Sequence, residues 1–271
     1  MDAFEDKVRG TIYGLAIGAT GSKTPVDLLL CSVEAYREIG DGGAKPHLTA
    51  RALVEWSKTG PQEVDDTTAM AIRFLSEGVP WLMSGHTAMT QGMRPTSGSL
   101  VRCFPTGIAR RVQDEQLLTE SSALSGITHA HPDCLGACAV LCLAVSTLVR
   151  DPGVLVVQVL REAWMRTPWY YEGARGALDD VIRGITTEEA TGVLGCLGQS
   201  LRTMALAEDF RTGILNAANC GSGSRLNAAV TGALLGARFG VSGISQDWLD
   251  RLPEFDRLVD ACDTLLEIAE E

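Results

Sequence analysis

Apolar residues recur at three- and four-residue intervals along most of this chain, the spacing that places them on one face of an α-helix. Strict alternation of apolar and polar residues, which would indicate strands, is nearly absent. The pattern predicts helices over residues 7–17, 27–39, 47–58, 67–76, 135–149, 153–165, 188–207, 228–239 and 253–270. Short connections rich in Gly, Pro and Asp join them. We therefore expect an all-α fold, a compact single-domain helical bundle spanning residues 1–271.

The composition and charge of the chain limit the kinds of molecule that it can bind. The chain has 271 residues, 45% of them hydrophobic, and a formal net charge of -11. Such an acidic surface repels nucleic acid and anionic membranes. No secretory leader pattern opens the chain, and no segment has the roughly 20 consecutive apolar residues of a membrane span. We expect a cytoplasmic protein, a monomer or homodimer, that binds a small molecule and neither nucleic acid nor membrane.

The eight cysteines are scattered and lie mostly within apolar segments. Cys134, Cys138 and Cys142 fall on one face of a predicted helix, but no His in that helix has metal-ligand spacing relative to them. We interpret the cysteines as small buried thiols in a reduced compartment.

Five segments, taken in order, resemble the ADP-ribosylglycohydrolases. They are "GLAIGATGS" at 14–22, "ARALVEWSKTGP" at 50–61, "TSGSLVRCFPTG" at 96–107, "THAHPDCLGACA" at 128–139 and "NAANCGSGSRLNAAVTGALLGARFG" at 216–240. The resemblance covers most of the chain. It implies an all-α enzyme that cleaves the N- or O-glycosidic bond joining ADP-ribose to a side chain or a small molecule, in a family that uses two Mg²⁺ ions.

The first and last of these motifs lack the acidic residues that the family has there. Ala19 stands where the family's first motif has Asp. In the last motif, alignment of the following helix places Gly223 and Arg225 on the two Asp positions and Leu226 on the Thr. This loop therefore resembles a metal-binding loop that has lost its ligands.

The family's Thr-Asp-Asp-Thr motif has two possible alignments. Asp65 and Asp66, in "VDDTTAM", match by composition. The Trp and Thr-Gly-Pro at 56–61 precede them, however, whereas in the family that pair follows the motif, so the equivalent helix start is "TPVD". On that alignment Pro25 and Val26 replace the Asp pair. Because Mg²⁺ usually needs at least one or two carboxylate ligands, we predict no metal site and no cofactor.

The ligand-recognition segments of the family are retained. The resemblance assigns substrate binding to Ser97, Gly98, Ser99, Arg102, Thr128, His129, His131, Gly221, Ser222 and Arg225. A guanidinium at 225 would neutralise a phosphate or carboxylate on the ligand. Simpler structural interpretations stay open: a turn and cap at 97–102, a helix cap at the two histidines, and a solvent-facing Arg225.

Asp65, Asp66 and Asp27 are the candidate catalytic carboxylates. Glycoside cleavage passes through an oxocarbenium-like transition state, which needs charge stabilisation and a base that activates water. The alternatives are that Asp65 and Asp66 face solvent, and that Asp27 is an ordinary acid at a helix start.

Two hypotheses follow. The first is a metal-independent hydrolase that cleaves an N-glycosidic bond in an ADP-ribosyl or related ribosyl nucleotide, such as a nicotinamide-nucleotide-like metabolite. The second is a catalytically inactive protein that binds ADP-ribose, another nucleotide or a protein partner. A partner would need an exposed apolar patch, for which "PWYY" at 168–171 is the best candidate.

Overall fold

A computed structural model describes residues 1–38, 43–185, 192–219 and 225–270, and these contain helices and turns but no strand. The all-α prediction is therefore confirmed. The helices are α1 (Ala3–Gly18), α2 (Thr24–Val33), α3 (Pro46–Ser57), α4 (Asp66–Ser76), α5 (Trp81–Thr90), α6 (Phe104–Ala109), α7 (Asp114–Gly126), α8 (Pro132–Arg150), α9 (Val156–Arg166), α10 (Glu172–Arg183), α11 (Gly192–Leu206), α12 (Phe210–Asn219), α13 (Arg225–Phe239), α14 (Gln246–Leu249) and α15 (Phe255–Glu270). Short 3₁₀ segments include Ser97–Arg102.

Each predicted helix corresponds to an observed one, although the ends of the ranges 27–39 and 188–207 extend into residues outside the described part. The periodicity missed α5, α6, α7, α10, α12 and the short α14. All residues of α6 are buried, so it has no polar face to give a period. Helix α9 begins at Val156 and not at 153, because the Asp151 side chain accepts a hydrogen bond from the Gly153 amide and closes a turn there.

Helix α8 is the centre of the hydrophobic core. By length and composition alone it could cross a membrane, but most of its residues are buried inside the protein, as in the core helix of a globular fold. Cys134, Cys138 and Cys142 are fully buried on it. Every cysteine in the described ranges is buried and free, which confirms the prediction of buried thiols; Cys220 lies outside those ranges.

Helices α1 and α13 pack with their backbones in direct contact. Gly10, Gly14 and Gly18 recur every four residues on α1 and face Gly236, Gly232 and Ala228 of α13. A Cβ atom on Gly14 would lie 2.2 Å from the carbonyl oxygen of Gly232, closer than real Cβ atoms approach. Glycine is therefore required on this face, and the contact fixes the end of α1 beside the start of α13.

We expect Gly14→Ala to lower the free energy of unfolding by about 3 kcal/mol, because the added methyl group overlaps backbone that cannot move without separating the helices. Gly176→Ala is the matched control, since Gly176 is an exposed glycine within α10 and a Cβ there would meet nothing within 4 Å. The control should stabilise the protein by up to about 1 kcal/mol. Urea unfolding of both variants measures the difference, and equal effects would contradict the close-contact interpretation.

Candidate functional site

Asp65 caps helix α4 and collects several hydrogen bonds. Its backbone is extended, as is usual for the residue before a helix, and its carboxylate accepts from the Thr68 amide at 3.0 Å. The Thr68 hydroxyl donates to the same carboxylate at 2.6 Å, and the Thr96 hydroxyl donates at 2.7 Å. The Asp65 side chain is 16% exposed. The residue is thus a helix cap and also the end of a wider polar network.

His129 connects this carboxylate to the interior. The ring is fully buried, with Nε2 2.7 Å from the Thr96 hydroxyl and 3.4 Å from the Asp65 carboxylate. Its Nδ1 lies 2.7 Å from the Thr128 hydroxyl, and the Arg102 guanidinium donates to that same hydroxyl. Four residues that the sequence singled out, Asp65, Arg102, Thr128 and His129, therefore belong to one connected network.

Arg102 lies in the interior and does not line an open cleft. It is 1% exposed, and its Nη1 donates to the Leu124 carbonyl at 3.0 Å. Burial lowers the pKa of its guanidinium. Within the described ranges its Nε has no hydrogen-bond partner and its side chain forms no direct ion pair. This geometry supports a role in positioning other groups.

Gly98 allows the Ser97–Arg102 segment to approach Asp65 closely. A Cβ atom at Gly98 would lie 2.3 Å from Asp65 Oδ2 and 2.7 Å from Thr68 Oγ1, so no other residue fits without displacing the network. Ser97 and Ser99 on either side are buried. The Ser99 hydroxyl accepts a hydrogen bond from the Cys138 thiol at 3.5 Å.

The hydrogen bonds keep Asp65 ionised. Burial alone would raise the pKa of its carboxyl, but hydrogen bonds with His129, Thr68 and Thr96, together with the positive charge that His129 carries when it is protonated, outweigh burial and hold that pKa well below its usual range. A carboxylate with so low a pKa is a weak base. It is suited to supplying a fixed negative charge.

The other two candidate carboxylates have different surroundings. Asp66 is the first residue of α4, and its exposed side chain has no hydrogen-bond or ion-pair partner within the part of the chain that the structure describes. Asp27 lies apart, in the first turn of α2. Its carboxylate accepts from Trp56 Nε1 at 3.2 Å and pairs with Arg257 at 3.2 Å.

His131 takes the structural role that the sequence left open, since it caps α8 by accepting from the Asp133 amide at 3.2 Å. Its side chain is 40% exposed, so it is also accessible to a ligand. Gly221 and Ser222 lie outside the described residues, as does the side chain of Arg225, whose backbone opens α13.

A cavity of about 780 Å³ lies where α1 ends, beside α12, α13 and the segment that joins α14 to α15. Apolar residues, many of them Ala or Gly, form most of it, Trp248 contributes an aromatic surface, and Lys23, Arg251 and Glu254 contribute charges. The lining includes Val26 and residues 18–22, which are the end of the first motif. Neither the periodicity nor the motifs pointed to Trp248 or Arg251, which lie far along the chain from that motif. The described residues predicted to bind substrate do not line this cavity.

The donors around this cavity do not fit a pair of Mg²⁺ ions. The carboxylate of Glu254 is ion-paired with Lys23 and Arg257, and that of Asp27 with Arg257. Residues 220–224 are Cys, Gly, Ser, Gly and Ser, none with a carboxylate. No group of three or more His, Cys, Asp or Glu side chains suited to a metal occurs in the described ranges. Mg²⁺ prefers oxygen ligands that include carboxylates, and here the nearby ones already have cationic partners.

Comparisons with known proteins agree with the motifs. The family model described as ADP-ribosylglycohydrolase matches residues 1–271. A relative from Serratia proteamaculans (strain 568), named ADP-ribosylarginine hydrolase Tri1, is 26% identical, the alignment covering 98% of this chain and 80% of the relative. A protein from Rhodospirillum rubrum named ADP-ribosyl-[dinitrogen reductase] glycohydrolase is 24% identical over 76% of this chain and 67% of its own length.

A solved structure has the same fold. It is titled "ADP-ribosylglycohydrolase-related protein complex", with a TM-score of 0.79 and 22% identity, and the match covers 99% of this chain and 100% of that one. At this identity the similarity supports the fold alone.

We expect Asp65→Asn to lower the free energy of unfolding at pH 7 by about 2 kcal/mol, through loss of the charged cap and its buried hydrogen bonds. Because the pKa of Asp65 is lower in the folded state, its contribution is complete above the unfolded pKa of about 3.9 and is lost as the pH falls toward the folded pKa. The gap between wild type and variant should therefore narrow below about pH 4.

Asp209→Asn is the matched control. Asp209 accepts from the Thr212 amide at 2.7 Å at the start of α12, but it is exposed to solvent. Asp209→Asn should lower the free energy of unfolding by less than Asp65→Asn does. A constant gap between wild type and Asp65→Asn from pH 7 to pH 2 would mean that the Asp65 charge contributes nothing to stability.

Proposed function

Because the chain belongs to the ADP-ribosylglycohydrolase family, we propose that it hydrolyses the N-glycosidic bond of an ADP-ribosyl group or a related ribosyl nucleotide, without a dinuclear Mg²⁺ centre. The observation that carries the proposal is the pair of adjacent carboxylates where α4 begins. Asp65 is held ionised by three neighbouring residues, and Asp66 is exposed and unpartnered among the described residues.

Asp65 supplies the electrostatic part of this mechanism. As the bond to the leaving nitrogen breaks, positive charge develops on the ribose ring. A carboxylate whose position is set by hydrogen bonds stabilises that charge without having to reorganise. Gly98, which leaves the carboxylate uncrowded by a side chain, lies next to Asp65 Oδ2.

Asp66 supplies the base. It is exposed, so water reaches it, and no cation among the described residues pairs with its carboxylate. In the proposed step Asp66 accepts a proton from a water molecule whose oxygen attacks the anomeric carbon, and the leaving nitrogen departs with the electrons of the broken bond.

The relatives' names favour a nitrogen leaving group. Two of them, from Serratia proteamaculans and Pseudomonas putida (strain GB-1), are named ADP-ribosylarginine hydrolase. In such a substrate the ribose is joined to a guanidinium nitrogen. The cavity of about 780 Å³ is within the size range of small-molecule sites, and Arg251 on it would favour an anionic group of the ligand, although neither Asp65 nor Asp66 lines it. A nicotinamide-nucleotide-like molecule has the same type of bond.

A second candidate function is binding of ADP-ribose or a partner without turnover. Two of the three candidate carboxylates are poor bases, which favours this function: Asp27 is paired with Arg257, and Asp65 has a low pKa. Asp66 is the remaining candidate for the base. Trp169 and Tyr170 are 77% and 57% exposed, so part of the 168–171 segment is available to a protein partner, whereas Tyr171 is buried.

Turnover of ADP-ribosylarginine and of nicotinamide mononucleotide, followed by mass spectrometry, tests the proposal. We expect Asp66→Asn to abolish turnover while changing ligand affinity by less than about tenfold. Glu172→Gln is the matched control, because Glu172 is also an exposed first residue of a helix, α10. Its turnover should equal that of wild type, and unchanged turnover in Asp66→Asn would remove Asp66 as the base.

Chelation separates the metal-independent mechanism from the family's usual one. Activity should persist in excess EDTA and should not increase when Mg²⁺ is added. Loss of activity in EDTA with recovery on Mg²⁺ would contradict metal independence. Binding of ADP-ribose by calorimetry without any product would support the second candidate function.

A further inference from the structure

We propose that Arg102 is a positioning residue: its buried guanidinium acts as a remote counter-charge to Asp65, through a directed chain of hydrogen bonds that passes Thr128, a neutral His129 and Thr96. The chain itself stands on contacts between described residues. Its catalytic consequence rests on the proposed function.

The Asp65 end of the chain fixes its direction. The Thr96 hydroxyl lies 2.7 Å from the Asp65 carboxylate and 2.7 Å from His129 Nε2. An ionised carboxylate is an acceptor only, so the single hydroxyl hydrogen of Thr96 points to Asp65. Thr96 must then accept from His129, which places the ring hydrogen on Nε2.

The Arg102 end gives the same direction. A guanidinium is a donor only, so the Thr128 hydroxyl accepts from Arg102 and has its own hydrogen to give. His129 Nδ1, 2.7 Å away, is the acceptor within reach. Protonating Nδ1 would leave that hydroxyl hydrogen without an acceptor among the described residues. Both ends therefore assign His129 as the neutral Nε2–H tautomer.

Burial explains why such a chain matters. Arg102 and His129 are 1% and 0% exposed, and in the described ranges no carboxylate contacts the guanidinium directly. Bonds that all run from donor to acceptor in one direction polarise one another, so each hydroxyl donates more strongly. The chain thereby lets a buried positive charge stabilise a carboxylate that it does not touch. Loss of the Thr96 hydroxyl would leave the Asp65 carboxylate with its two hydrogen bonds from Thr68, so its position would be less firmly fixed.

NMR of the imidazole nitrogens tests the chain directly and without any assay of activity. The protein has four histidines, so the spectrum is simple to assign with single-histidine variants. We expect wild-type His129 to be neutral with its hydrogen on Nε2 at pH 7. A doubly protonated ring, or the Nδ1–H tautomer, would overturn the proposal.

Thr128→Val and Thr96→Val each remove one hydroxyl while keeping the side-chain shape. Thr128→Val cuts the chain between Arg102 and Asp65 without removing a group that contacts Asp65. It should abolish the hydrogen-bonded Nδ1 signal and raise the pKa of Asp65 toward its ordinary value of about 3.9, as followed by carboxyl NMR, and Thr96→Val should raise that pKa as well. Thr49→Val is the matched control, because Thr49 is fully buried and its hydroxyl has no partner in the described part of the chain. It should change neither signal. If all three variants behave alike, the chain does not act as proposed.

Kinetics adds the catalytic consequence. If wild type turns over substrate, Thr96→Val and Thr128→Val should lower kcat by about 100-fold, the loss expected when a charged group is misplaced by about 1 Å, with little change in KM. Unchanged kcat would overturn the positioning role. A wild type without turnover would refute the proposed hydrolysis, whereas the NMR results would still decide whether Arg102 acts on Asp65.

Discussion

The backbone contact between α1 and α13 is the constraint on which the rest of this structure depends. A Cβ atom on either Gly14 or Gly232 would reach the other's carbonyl oxygen at about 2 Å, so the two helices have one permitted separation and register. The contact continues to Gly18, opposite Ala228, and so places the end of α1 beside the start of α13. The cavity lies at this end of the contact and is lined by Gly18 and Ala228 among others.

Several of the charges around that cavity are paired with one another. Arg257 contacts both Asp27 and Glu254, and Lys23 contacts Glu254 as well. Two cations and two carboxylates therefore neutralise one another. These pairs are partly exposed and contribute little to stability one by one. Their effect is on chemistry, because a carboxylate already paired with a guanidinium is a poor ligand for Mg²⁺ and a poor base.

Sequence reasoning predicted the helices with strong periodicity and the fold class, and the resemblance led to several residues that the structure brings together. Asp65, Gly98, Arg102 and His129 meet although they are as much as 64 positions apart, from 65 to 129. Periodicity could not predict that these residues are in contact, because their contact depends on how α4, α8 and the Ser97–Arg102 segment pack together. The network also needs Thr68 and Thr96, and single threonines give no signal in a sequence. The pairing of Asp27 with Arg257, 230 positions away, was equally invisible.

The arrangement at the start of α4 also limits which mechanisms are physically reasonable. The three hydrogen bonds that the Asp65 carboxylate accepts stabilise its ionised form, so they stabilise the folded protein and lower the pKa of the carboxyl. The same low pKa makes the carboxylate a weak base. Asp65 therefore cannot be optimised both as a cap and as a proton acceptor. If hydrolysis occurs here, the two functions must be divided between neighbours. The chain places an exposed carboxylate, Asp66, one position further on, where it remains close to the fixed charge but outside its hydrogen bonds.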